Sequence, residues 1–126
     1  MIARRYRFHG YNALSYVYKQ GKTARNRSCL LRYAPNPRRQ ECRIAVVVGK
    51  KVHKSAVTRN RIRRRIFAEL QGIVGDLPAY DLVFTVVDPQ MVVASQKHIN
   101  EIIYKILQIS GVWGEPVDKL AGDSDI

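Results

Sequence analysis

Five arginines fall between residues 59 and 65, in a segment that also spaces Ile62, Ile66, Leu70 and Ile73 by four, four and three. An apolar residue at every turn predicts a helix with one buried side. At about 100° per residue, Asn60, Arg61, Arg64 and Arg65 share the arc opposite Ile62 and Ile66, while Arg59 and Arg63 flank the apolar stripe. Alone, such a helix is disfavoured. Arg59 with Arg63, and Arg61 with Arg65, are like charges at i and i+4, each pair costing roughly 0.2–0.5 kcal/mol. The rest of the chain must give the stripe a surface to pack on, and the charge asks for an anionic partner.

The chain can supply the surface. It has 126 residues, of which 46% are hydrophobic, enough for one domain with a real core. The core segments are legible by period. Residues 11–20 place Leu14, Val17 and Tyr18 on one helical stripe, with Tyr11 a turn earlier and Gly21 read as a left-handed C-cap. Residues 28–34 predict a strand, stopped by the Pro35-Asn36-Pro37 turn. The β-branched run 43–49 predicts a central strand. The basic helix spans 56–71, broken by Gly72, Gly75 and Pro78, and 80–87 predicts another buried strand. Ser95 then caps a helix whose Ile99, Ile102, Ile103, Ile106 and Leu107 follow i, i+3, i+4, i+7 and i+8. One further short strand is expected near residues 50–53. These elements predict an α+β fold, a mixed sheet covered largely on one face by helices. The domain is expected to cover residues 1–111, with 112–126 an acidic, frayed tail.

The charge is unevenly spread. Residues 1–68 hold 19 Lys/Arg and the single acid Glu41, a balance of +18; residues 69–126 hold 3 bases and 9 acids, a balance of −6. A field of that sign attracts polyanions. No stretch is long and apolar enough to span a bilayer, and the N-terminus lacks the apolar region of a signal peptide, so the expected setting is the cytoplasm, without a membrane partner. Cys29 and Cys42 have no zinc-site spacing and are expected to be reduced and packed. Arginine forks bond phosphate oxygens bidentately, a helix N-terminus adds unpaired N–H groups, and Lys50, Lys51 and Lys54 extend the patch upstream.

The run Gly49-Lys50-Lys51-Val52-His53-Lys54-Ser55-Ala56-Val57-Thr58-Arg59-Asn60-Arg61-Ile62-Arg63-Arg64 resembles the signature of the bacterial ribonuclease P protein subunit: a Lys-Lys pair, then Ala-Val-x-Arg-Asn-Arg with further basic residues on one helix. Val17-Tyr18-Lys19-Gln20-Gly21-Lys22 resembles the end of that family's first helix, and Arg43 opens the strand before the Lys pair as in the family. The resemblance covers about residues 4–110. It implies an αβββαβα sandwich with an uncommon left-handed βαβ crossover. It also implies a protein that assembles with a large catalytic RNA, and an endoribonuclease that removes the 5′ leader of precursor tRNA. Hydrolysis and the Mg²⁺ ions belong to the RNA. Carried over, Lys50, Lys51, Lys54, Arg59, Asn60, Arg61, Arg63, Arg64 and Arg65 would contact RNA, and Leu14, Tyr18 and Lys22 would line a leader cleft beside the open sheet face. Leu14 stands where many members carry phenylalanine, which leaves an apolar wall. The turn made by Val52-His53-Lys54-Ser55 is one residue longer than is usual.

A protein-only nuclease would cluster carboxylates or histidines. Glu41, Glu69, Asp76, Asp81 and Asp88 are scattered, and His9, His53 and His98 fall in three separate elements, so neither a catalytic side chain nor a protein-bound cofactor is expected. A ribosomal or other structural RNA-binding protein is the competing reading. A DNA-reading helix-turn-helix would need a short helix before residue 56, and the β-branched strands on either side count against it. No DNA partner is expected.

Overall fold

The structure is a computed structural model that describes residues 3–8 and 11–113, and the side chains of all of these except 11–13. Three helices and four strands follow in the order α1 (Tyr11–Gln20), β1 (Lys22–Arg25), β2 (Cys29–Pro35), β3 (Arg43–Val48), α2 (Ala56–Gln71), β4 (Tyr80–Val86) and α3 (Gln96–Ser110). The strands form one mixed sheet in the order β1-β2-β4-β3, in which β1/β2 and β2/β4 are antiparallel and β3/β4 are parallel. The expected αβββαβα order holds. One strand lies elsewhere than predicted: it is β1, not residues 50–53. There, the Val52 N–H closes a turn on the Gly49 carbonyl at 3.1 Å while the Val52 side chain is buried in the core, so the chain reverses rather than extends.

Alternation along each strand sorts the sheet into two faces. Cys29, Leu31, Ile44, Val46, Val48, Leu82, Phe84 and Val86 face α2 and α3 and make the main core with Ile62, Ile66, Leu70, Ile99, Ile103 and Ile106. Both cysteines are free and buried. Burial pushes the Cys29 thiol up to about 12 and the Cys42 thiol up to about 11, because a thiolate would be stranded away from water. The opposite face carries α1, which packs on β2 and β4; Val17, Ala34 and Val83 are buried there, outside the main core. Two helices thus cover one face and α1 part of the other. The core also continues past Gly111, for Val112 is buried and the Trp113 ring meets Tyr104 edge-on at 5.2 Å. His9 and residues 114–126, which include most of the acidic tail, lie outside the described residues, as does the side chain of Tyr11.

Caps explain where the helices begin. Ser55 Oγ accepts from the Thr58 N–H at 3.3 Å and Ser95 Oγ from the His98 N–H at 3.1 Å. The left-handed cap expected of Gly21 belongs instead to Gly111, at φ 79°, the one described residue with a positive φ. Gly21 is needed for another reason: a Cβ there would stand 2.5 Å from the Val17 carbonyl oxygen and 3.1 Å from that of Tyr33. Only a bare Cα lets α1 turn directly into β1. A Cβ at Gly49 would meet nothing within 4 Å. Gly21→Ala should therefore destabilise the protein by about 1–3 kcal/mol, while Gly49→Ala should stay within about 0.5 kcal/mol of the parent. Denaturant titration of both variants checks the contrast.

Candidate nucleic-acid interface

The basic patch is built on the link between β3 and α2. The turn at residues 49–52, anchored by buried Val52, leaves Lys50 and Lys51 exposed, and Lys54 follows on the same connection. His53 is used locally: its Nδ1 accepts from the Ser55 N–H at 3.0 Å, which sets the Ser55 cap in place. The longer turn of this chain is thus closed by its own side chains. Ile62, Ile66, Phe67 and Leu70 bury one side of α2, and the other side presents the arginines.

The structure divides those arginines into two kinds. Arg59 turns back and donates from Nη1 to the carbonyls of His53 and Lys54, at 3.0 and 2.9 Å. Arg65 donates from Nη2 to the Ala94 carbonyl at 2.5 Å and from Nε to Gln96 Oε1 at 3.2 Å. Both are half-buried and tie α2 to its neighbours. Arg63 donates to Asn60 Oδ1 on the same helix. Arg61 and Arg64 are exposed, and neither their guanidinium groups nor the ammonium groups of Lys50, Lys51 and Lys54 bond any other described residue. These five cations are the free charge of the patch. Glu69, the first acid along α2, accepts from Gln96 and from Asn100 Nδ2, so its carboxylate is held against α3.

Two of the leader-cleft residues, Leu14 and Tyr18, lie on the other side of the sheet. Leu14 and Tyr18 share one flank of α1; Leu14 is half-buried, and Tyr18 is 40% exposed with the Arg32 guanidinium 5.0 Å over its ring. Lys22 is exposed at the start of β1, but it pairs with Tyr33 and alternates with buried Ala24, so its side chain leaves the sheet on the side of the main core and the structure does not bring it together with Leu14 and Tyr18. Arg32 points away from the main core because Leu31 points into it, and its Nε is buried without a hydrogen-bond partner. The basic helix and the α1 flank are therefore separate surfaces on opposite faces of the sheet. β3, an edge strand, runs between them.

Three features were not singled out from sequence. Arg32 was readable as the outward residue of an alternating strand. The second is an ion pair: Arg43 donates from Nε and Nη2 to the two oxygens of Asp81, at 2.9 and 2.7 Å, and Asn36 Nδ2 reaches the same carboxylate. The third is a groove of about 580 Å³ at that end of the sheet, bounded by Tyr16, Pro35 and Pro37 with Arg38 at its rim. No spacing rule signals a pair separated by an entire βαβ crossover. Among the described residues no three His, Cys, Asp or Glu side chains come together as metal ligands. No helix among them is long and apolar enough to cross a membrane.

Comparison with known proteins gives this arrangement a family. The family model described as Ribonuclease P matches residues 2–109. A ribonuclease P protein component from a Cyanothece species is 34% identical over 102 residues, covering 68% of this chain and 78% of that one. One from Oceanobacillus iheyensis is 29% identical over 108 residues, covering 82% and 88%. In three dimensions the chain is similar to the RNase P protein of Staphylococcus aureus, with a TM-score of 0.79 over 86% of this chain and 98% of that one at 23% identity. The RNase P protein from Thermotoga maritima gives a TM-score of 0.73 over 86% and 98% at 19% identity, and at such identities the likeness speaks for the fold alone. With the sequence matched almost from end to end of the described core, the chain belongs to the ribonuclease P protein family.

Proposed function

We propose that this chain is the protein subunit of a cytoplasmic ribonuclease P, which assists a catalytic RNA in cutting the 5′ leader from precursor tRNA. The observation that carries the reading is the set of five cations, Lys50, Lys51, Lys54, Arg61 and Arg64, whose charged groups bond no other described residue and which stand on a helix and turn fixed by the core. Unpaired cations on a rigid element are what a folded RNA backbone needs, since each phosphate met releases counterions without first breaking an internal ion pair. Arg59, Asn60, Arg63 and Arg65 belong to the same surface, with Arg59 and Arg65 holding it in shape. Tyr18 supports the leader assignment: Arg32 covers one side of its ring, and the exposed part offers a stacking surface for an unpaired base, with Leu14 on the same flank of α1; Lys22, at the edge strand, would meet the leader only beyond that flank. Phosphodiester hydrolysis and its Mg²⁺ are assigned to the RNA.

Cleavage of precursor tRNA by a bacterial ribonuclease P RNA at low magnesium, with and without this chain, tests the reading. Stimulation is expected, and its absence would overturn the function in favour of a purely structural RNA-binding role. Replacing Arg61 and Arg64 together with Ala should weaken binding to the catalytic RNA and reduce the log K against log[salt] slope by about 2, one per lost phosphate contact. An unchanged slope removes phosphate contact from that face. Tyr18→Ala should weaken precursor tRNA in the assembled complex by roughly 1–3 kcal/mol, the usual value of one stacked base, and leave mature tRNA unaffected. Equal loss for the two RNAs removes the leader from α1.

A further inference from the structure

Tyr16 is 55% exposed, a large aromatic ring left in water beside a helix face that buries Val17 completely. On α1 it stands about 200° from Tyr18, with Val17 between them directed at the sheet. The two tyrosines therefore occupy opposite flanks of α1, and the groove bounded by Tyr16 is distinct from the flank assigned to the leader.

The groove is preformed. Its far wall is Pro35 and Pro37, apolar rings without N–H groups. Asn36 between them locks the turn: its N–H donates to the Ala79 carbonyl at 2.8 Å, its Oδ1 accepts from the Arg38 N–H at 3.2 Å, and its Nδ2 lies 3.2 and 3.3 Å from the two oxygens of Asp81. The floor is the Arg43 to Asp81 pair, whose carboxylate is saturated by these donors and repels little. Arg38 is exposed at the rim and bonds no other described residue through its guanidinium. At about 580 Å³ the groove falls in the size range of small-ligand sites, roughly 300–1,000 Å³. Arg38 and Arg43 against Asp81 leave one net positive charge, which matches a single phosphodiester.

We propose that this groove is a second RNA contact and takes one nucleotide of single-stranded RNA, its base on the Tyr16 ring against the prolines and its phosphate on Arg38. An acidic peptide would answer the charge and leave Tyr16 and the prolines without an aromatic partner. The inference rests on the proposed function only for RNA as the kind of partner.

Fluorescence anisotropy of a labelled single-stranded RNA of about six nucleotides, titrated with the full chain, tests it. Tyr16→Ala should weaken binding roughly 10-fold and Tyr16→Phe by less than about 2-fold, because the ring carries the contact. Arg38→Ala should weaken it and lower the salt slope by about one. Tyr16 is exposed, and thermal melts of the variants should overlay the parent. Hexamer affinity unmoved by Tyr16→Ala, or lost equally in Tyr16→Phe, overturns the proposal. Competition by uridine monophosphate as strong as by unlabelled hexamer would assign the groove to free nucleotides. Displacement by an acidic peptide that disappears in Tyr16→Ala would assign it to protein, and either result overturns the RNA claim. A chain that fails to stimulate cleavage yet loses hexamer affinity in Tyr16→Ala would refute the proposed function and leave the groove standing.

Discussion

Asp81 is the one charged side chain fully buried among the described residues, at 3% exposure, and the sheet is organised around what neutralises it. A carboxylate taken out of water without a partner costs several kcal/mol. Here Arg43 meets it with a two-point fork, in register with it at the first rung of the parallel β3/β4 ladder. Asn36 adds the loop between β2 and β3, and the Arg43 guanidinium stacks 4.9 Å over Phe8 from the segment before α1. The loop after β2, the start of β3 and, through Arg43, the segment before α1 thus converge on one carboxylate of β4. A fork is directional, so a one-residue slip of β3 along β4 would break it as well as turn Ile44, Val46 and Val48 out of the core. The same neutralisation keeps the sheet face beside α1 from presenting a negative charge to RNA.

How much of this was legible in the sequence follows from which elements bury a periodic stripe. β3, α2 and α3 do, with Ile44/Val46/Val48, Ile62/Ile66/Leu70 and the isoleucine ladder of α3, and their bounds were readable to within a residue or so. β1 is Lys-Thr-Ala-Arg, in which only Ala24 is buried. Its strand character comes from pairing with β2 and from Asn26, whose Oδ1 accepts from the Ser28 and Cys29 N–H groups and whose Nδ2 donates to the Ile102 carbonyl on α3. Such a strand leaves no hydrophobic period to read. Gly21 shows the complementary limit: the sequence marks a glycine, but whether it serves a positive φ or a close approach depends on Val17 and Tyr33, one of them in another strand.

The candidate interface was legible in composition and illegible in division of labour. Counting along α2 finds every arginine of the patch, yet it does not show that Arg61 stays free while Arg65, which at 100° per residue stands only about 60° from Ile62 and so flanks the apolar stripe, is drawn to a neighbour. The difference lies in what stands opposite. Ala94 and Gln96, at the start of α3, come within reach of Arg65 because α3 packs on α2, and nothing comparable faces Arg61 or Arg64. Tyr16 was not sortable, since only the burial of Val17 beside it shows which way α1 rests on the sheet.

The split between engaged and free arginines resolves the opening difficulty of α2. A helix carrying this much like charge is held by its apolar side, and Arg59 and Arg65 relieve part of the repulsion by sinking their guanidinium groups onto neutral carbonyls of neighbouring loops. Those contacts neutralise nothing. They fix direction: Arg59 pins the loop carrying Lys54, and Arg65 pins the helix to the start of α3, so Arg61, Arg64 and the lysines keep a constant spacing. The remaining repulsion is largely relieved when phosphates arrive. A surface built this way keeps part of its like-charge repulsion in the free protein, and its affinity for a polyanion gains by that amount. Free acids nearby would stabilise the unbound state and weaken the bound one, and here Glu69 is drawn away by Gln96 and Asn100.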